Sequence, residues 1–137
     1  MSGNISNVTV TLRGFNHTWG SDVDVLLVGP GGQNVMLMSD CSAGNVDNVT
    51  VTLDDRAVAL VPDSGLTSGT YKPTDRTDIS VLGDNFPAPA PVAPFGGMLS
   101  VFSNTVPNGT WSLYVLDDGP DDVGTIANGW TLNISTL

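Results

Sequence analysis

All fourteen acidic residues of this chain are aspartate; glutamate is absent, and Lys72 is the single lysine. Glu, Lys and Ala fill the exposed faces of helices, whereas Asp, Asn, Thr, Ser and Gly favour caps, turns and strands. Sixteen Gly and nine Pro are spread over the 137 residues. No stretch of helical length combines apolar 3.6-residue periodicity with good helix formers. The chain reads as all-β.

Alternation places the strands. Val8, Val10 and Leu12 alternate with Thr9, Thr11 and Arg13, the pattern of a strand with one face on a core. In Asp22–Val28, Val23, Val25 and Leu27 share one face, and Asp22, Asp24, Leu26 and Val28 share the other. Gly29-Pro30-Gly31-Gly32 then turns the chain toward Val35–Met38, which predicts a hairpin. Val49, Val51 and Leu53 form the next strand, and Asn48–Leu53 repeats Asn7–Leu12 letter for letter (NVTVTL). Two strands with one burial pattern explain that match better than a repeat architecture does. Ala57–Val61 extends the strand past a bulge. Strands are also predicted at Met98–Phe102, Thr110–Leu116 and Gly129–Ile134. The Pro62–Pro94 segment between them is irregular, and its Phe86-Pro87-Ala88-Pro89-Ala90-Pro91 run favours polyproline II. A loop this long is functional or lies flat over the surface. Seven or eight short strands separated by Gly/Pro turns are the pattern of a β-sandwich or jelly roll.

Charge removes whole classes of function. The formal net charge is −10, and Arg13, Arg56, Lys72 and Arg76 are the only cationic side chains apart from His17. Nucleic-acid binding through phosphate neutralisation needs clustered Lys and Arg, so it is excluded, and anionic membrane surfaces are disfavoured. No apolar run approaches the roughly 20 residues of a membrane helix, so no membrane insertion is expected. Cys41 is the lone cysteine, so no intramolecular disulfide forms. Met1-Ser2-Gly3-Asn4 carries no signal peptide, and strand-like sequence begins almost at once. We therefore expect residues 1–137 to be a single module excised from a longer chain.

Catalysis has little material to work with. His17 lacks a Gly-x-Ser-x-Gly turn, and Cys41 follows Asp40 in an acidic loop that disfavours a thiolate. No catalytic residue is assigned. The loops are instead rich in carboxylates. Asp117-Asp118-Gly119-Pro120-Asp121-Asp122 places four acids at the mouth of one hairpin, and Asp22 with Asp24, Asp40 with Asp47, and Asp54 with Asp55 form further groups at strand ends. Hard oxygen ligands converging from loops suit Ca²⁺, and close carboxylates repel one another unless a cation sits among them. Solvated acidic turns without an ion are the competing reading. Among the aromatics, Trp111 and Trp130 alternate with Leu113 and Leu132 and belong to the core. Trp19 and Tyr71 lie in loops and are candidates for a ligand face.

At these residues the sequence resembles a known family. His17-Thr18-Trp19-Gly20-Ser21-Asp22-Val23, followed by Leu26-Leu27-Val28-Gly29-Pro30-Gly31-Gly32, is similar to the His…Asp-Leu…Leu…Ser-Pro-x-Gly stretch of the P domain (P/Homo B domain) of subtilisin-like proprotein convertases. Gly109-Thr110-Trp111-Ser112-Leu113 resembles the family's Gly-x-Trp-x-Leu strand. Asp117, Gly124-Thr125-Ile126 and Trp130-Thr131-Leu132 resemble its Asp…Gly-x-Leu…Trp-x-Leu ending. Gly29 stands where the family carries Ser. The middle of the chain, Ser39–Pro94, is longer than in eukaryotic convertases and looks more like the P-domain-like modules of bacterial proteins.

The resemblance implies an all-β, eight-stranded sandwich of jelly-roll type with no catalysis of its own and with structural calcium. Carried onto this sequence, the metal candidates are Asp22, Asp117 and Asp122, then Asp118 and Asp121, with Asp24, Asp40 and Asp55 as further ones. The expected function is a non-catalytic, calcium-binding accessory module, outside the cell or on its surface. It would stabilise or position a neighbouring catalytic domain, a subtilisin-like serine peptidase. The alternative is an adhesion or carbohydrate-binding module of a bacterial surface protein, recognising a protein or glycan through Trp19 and Tyr71.

Overall fold

The computed structural model describes residues 1–76 and 84–137. The part of the predicted irregular segment at 77–83 lies outside the described residues. Among those described, nine strands form two mixed sheets packed as a β-sandwich, one more than the eight anticipated.

The first sheet is built on β1 (Ile5–His17), which pairs with β4 (Val46–Leu53) along one edge. Its other edge is shared in succession by β9 (Trp130–Thr136) and β8 (Gly124–Ile126). β5 (Gly69–Tyr71) adds to β4 in parallel. The second sheet runs β6 (Thr74–Asp75), β3 (Asn34–Ser39), β2 (Val23–Val28), β7 (Ser112–Asp117), with β6 parallel to β3. The inward faces are those the alternation predicts. Val8, Val10 and Leu12 from β1 and Val49, Val51 and Leu53 from β4 meet Val23, Val25 and Leu27 from β2 and Val35 and Leu37 from β3. The two NVTVTL copies are direct partners, pairing Val10 with Leu53, Thr11 with Thr52 and Leu12 with Val51.

Several elements depart from the sequence reading. Met98–Phe102 is not a strand. Leu99–Phe102 is a 3-10 turn, with Leu99 and Phe102 buried while Met98 and Val101 are exposed. That three-residue apolar spacing fits one 3-10 turn, not a period of two. Ala57–Val61 does not prolong β4: Asp54 and Ala57 close a turn, and Leu60 makes an isolated bridge to Lys72. β5 and β6 lie inside the segment read as irregular, and β8 lies inside the predicted Asp117–Asn128 turn; at two or three residues each they are too short to show alternation. Trp111 packs on Phe102 (centroids 4.9 Å apart), as expected of a core residue. Trp130 does not: at the start of β9 it remains 38% exposed.

The second sheet is apolar on its outer face as well. Leu26 and Met36 there are covered by Phe86 and Ala90, with Val28, Phe95, Tyr114 and Leu116 packed around them. The proline-rich segment therefore lies flat across this face as a strap. Phe86 and Phe95 meet edge to face at 5.8 Å.

Candidate metal centre

Alternation along β2 puts Asp24 on the same outward face as Leu26 and Val28, yet Asp24 is fully buried. Both of its carboxylate oxygens lack a hydrogen-bond partner among the described residues. Burying an ionised carboxylate without partners costs several kcal/mol, so such a group is either protonated or held by a cation. Burial, reinforced by the nearby charge of Asp84, pushes the Asp24 carboxyl up to about 8.

Asp84 and Asp118 complete a triad with Asp24. One carboxylate oxygen from each residue lies within 4.8 Å of the others. Two oxygens bound to one calcium at 2.3–2.6 Å can lie at most about 5 Å apart, so the triad can hold a metal ion. The three ligands come from separate places: Asp24 from β2, Asp84 from the start of the strap, and Asp118 from the residue after β7. Ser39, at the end of β3, donates its hydroxyl to Asp84 Oδ2 (2.7 Å). Asp40, which follows with a left-handed φ of 53°, accepts a longer bond from the same hydroxyl (3.3 Å), and its charge also bears on Asp24. Asp75, paired with Ser39 across β3 and β6, is raised by burial and by Asp84. Arg76, which follows Asp75, is directed elsewhere, to Asp63 (2.8 Å) and to the Val61 carbonyl (2.7 Å).

Neighbours in sequence, Asp117 and Asp118 serve different groups. Asp117 joins the end of the sandwich, where its Oδ2 lies 2.9 Å from His17 Nε2. His17 Nδ1 lies 2.7 Å from the Trp19 carbonyl and 3.1 Å from the Trp19 amide nitrogen, donating to the first in one tautomer or accepting from the second in the other, so both ring nitrogens are engaged. Thr18 donates to Asp122 Oδ1 (2.7 Å). Asp22 belongs here too, raised by its own burial and then by the charges of Asp122 and Asp117. Gly119 passes so close to Asp22 that any side chain at 119 would overlap its carboxylate.

The structure thus divides the acidic residues singled out from the sequence. Asp24 and Asp118 enter the triad; Asp22, Asp117 and Asp122 form the His17 group; Asp121 is exposed on the turn with φ 70°. Asp55 stands apart from both. Its two oxygens accept the backbone amides of Leu99 (2.9 Å) and Ser100 (2.7 Å), which caps the 3-10 turn. Asp84 was not among the sequence candidates. No acidic neighbour or strand alternation marks it, and only the path of the strap brings it to Asp24.

Of the ligand-face aromatics, Trp19 is 46% exposed, while the Tyr71 hydroxyl is tied to the Thr67 carbonyl (2.9 Å). Cys41 is fully buried, and burial, more than the adjacent Asp40, pushes its thiol up to about 11. Among the described residues no helix is long and apolar enough to cross a membrane.

Comparison with protein-family models, with curated proteins and with solved structures finds no match to this chain.

Proposed function

We propose that this chain is a non-catalytic, calcium-binding accessory module of the P-domain kind. It acts outside the cell or at its surface and stabilises or positions a neighbouring domain, for which the resemblance implies a subtilisin-like serine peptidase. The jelly-roll connectivity of that family belongs to the same proposal.

The observation that carries the calcium reading is the orphaned, fully buried Asp24 with Asp84 and Asp118 gathered around it. All three ligands are hard carboxylate oxygens, which select Ca²⁺ or Mg²⁺ over the thiophilic metals. Their separate origins in β2, the strap and the β7 end suit a structural role. With a divalent cation among them the three carboxylates stop repelling one another, and Asp24 remains ionised at no desolvation deficit. In a chain of net charge −10, bound calcium also relieves self-repulsion.

The test is a thermal melt in EDTA, in millimolar Mg²⁺ and in millimolar Ca²⁺. A rise in Ca²⁺ larger than in Mg²⁺, lost in Asp24→Asn, supports the reading; identical melts in all three overturn it. The exposure of Trp19 favours a second reading, adhesion or carbohydrate binding. A glycan array on which wild type and Trp19→Ala give the same signal removes it.

A further inference from the structure

The strap that covers the outer face of the second sheet is weakly held by its own chemistry. Pro87, Pro89, Pro91 and Pro94 have no amide hydrogen to give, and the backbone bond described within the strap is Ala90 N–H to the Pro87 carbonyl, at 3.2 Å. Its grip on the sheet is the burial of Phe86 and Ala90, with Phe95 partly buried beside them. At the far end the backbone is anchored: the Gly96 carbonyl accepts from Met36 N–H (2.9 Å), and its amide donates to Asn34 Oδ1 (3.0 Å). Toward the near end Asp84, immediately before Asn85 and Phe86, is tied to the sheet through Ser39 and the carboxylate triad.

That asymmetry has a physical consequence. Asp84 lies sixty residues after Asp24 and thirty-four before Asp118 in the chain. A cation shared by the three therefore closes two long loops at once, whereas without it Asp84 has only the acidic groups of Asp24 and Asp118 across from it in the triad. We propose that the triad is the clasp of the strap. With calcium held by Asp24, Asp84 and Asp118, residues 84–95 stay seated on the sheet; without it the near end lifts, hinged at Gly96, and bares Leu26, Met36, Tyr114 and Leu116. This rests on the reading that the triad holds calcium, and adds that calcium governs exposure of an apolar face. By linkage the dependence is reciprocal: whatever loosens the strap must weaken calcium binding.

The experiment uses two variants of the whole chain and calcium chloride as the probe. Tyr114→Cys places a thiol beneath the strap, and buried Cys41 stays silent in the folded protein. The expected result is thiol labelling about tenfold slower in Ca²⁺ than in EDTA, a coupling of ordinary size between two linked equilibria. Phe86→Ala removes the main apolar anchor without touching a ligand. Calorimetric titration should show its calcium affinity reduced by about the same factor. No heat of calcium binding to wild type would remove the calcium reading itself. Normal binding with a labelling rate indifferent to calcium would leave that reading standing and overturn the clasp. Should Phe86→Ala fail to fold, the Tyr114→Cys rates alone decide.

Discussion

Ser39 donates its hydroxyl to Asp84 at 2.7 Å, and Asp24, the buried carboxylate on the adjacent strand, has no hydrogen-bond partner among the described residues. A hydroxyl has one proton to give, and that of Ser39 is directed to Asp84, with a longer contact to Asp40, which leaves Asp24 without it. Asp24→Asn should consequently do two opposite things. In EDTA near pH 8 it should melt higher than wild type, because a buried charge is gone. In Ca²⁺ it should lose the rise of about 10 °C expected from a hundredfold excess of ion over Kd. Asp118→Asn should lose the rise as well, while Asp122→Ala, in the His17 group, should keep it. Paired melts of the three variants with and without Ca²⁺ check this.

The metal-free protein should become less stable as pH rises. The Asp24 carboxyl is raised from 3.8 to about 8 by burial and by Asp84. The folded state therefore holds a proton that the unfolded chain releases near its ordinary value, and stability falls with pH wherever the folded state binds more protons. Its contribution is complete below about pH 4, declines above that, and is lost once pH passes through about 8. Urea midpoints in EDTA should drop between about pH 5 and about pH 9. Ca²⁺ should flatten this slope, and Asp24→Asn should abolish its share.

Asp55 offers a contrast among the acids. Since its oxygens cap Leu99 and Ser100, Asp55→Ala should cost about 1–2 kcal/mol in denaturant unfolding. The temperature rise on adding Ca²⁺ should be unaltered. A variant that lost that rise would place Asp55 among the ligands instead.

Gly29 stands where the P-domain pattern carries Ser, and the packing supplies a reason. A Cβ at 29 would lie 2.7 Å from Phe102 Cε1 and 3.3 Å from Trp111 Cζ3. Phe102 is fully buried and cannot retreat without moving Trp111. Gly29→Ser should cost about 1–3 kcal/mol, the range of overpacked cores, measurable as a lower urea midpoint with an unchanged m-value.

Strands that alternate over five or more residues were legible in the sequence. Val8–Leu12, Val23–Val28 and Val49–Leu53 each carry enough alternation to declare both length and inward face. β5, β6 and β8 were hidden because two or three residues contain no period, and because two of the three are pinned by parallel pairing. The metal candidates show the same division. Asp24 and Asp118 stood out as members of acidic groups at strand ends. Asp84 stands alone in the chain and acquires its role from where the strap crosses the sheet. Leu26, read as the outward side of β2, gave no warning that this side would be covered too.

The pairing of the two NVTVTL copies carries a consequence for assembly. Thr11 faces Thr52 with their hydroxyls 3.0 Å apart, Val10 faces Leu53 and Leu12 faces Val51, so the ladder is symmetric about the threonine pair. Within the paired letters Val-Thr-Leu, β1 meeting β4 is indistinguishable from β1 meeting the β1 of another molecule. Selection of the correct mate falls to what flanks the hexapeptide: the register shifts on either side of Phe15, the Asn48 amide bonded to Asn16 Oδ1, and the tether that keeps β4 at high local concentration. Tether and flanks are independent of dilution, while the exchange between molecules is not. The yield of correctly folded chain should accordingly fall as refolding is carried out at higher protein concentration.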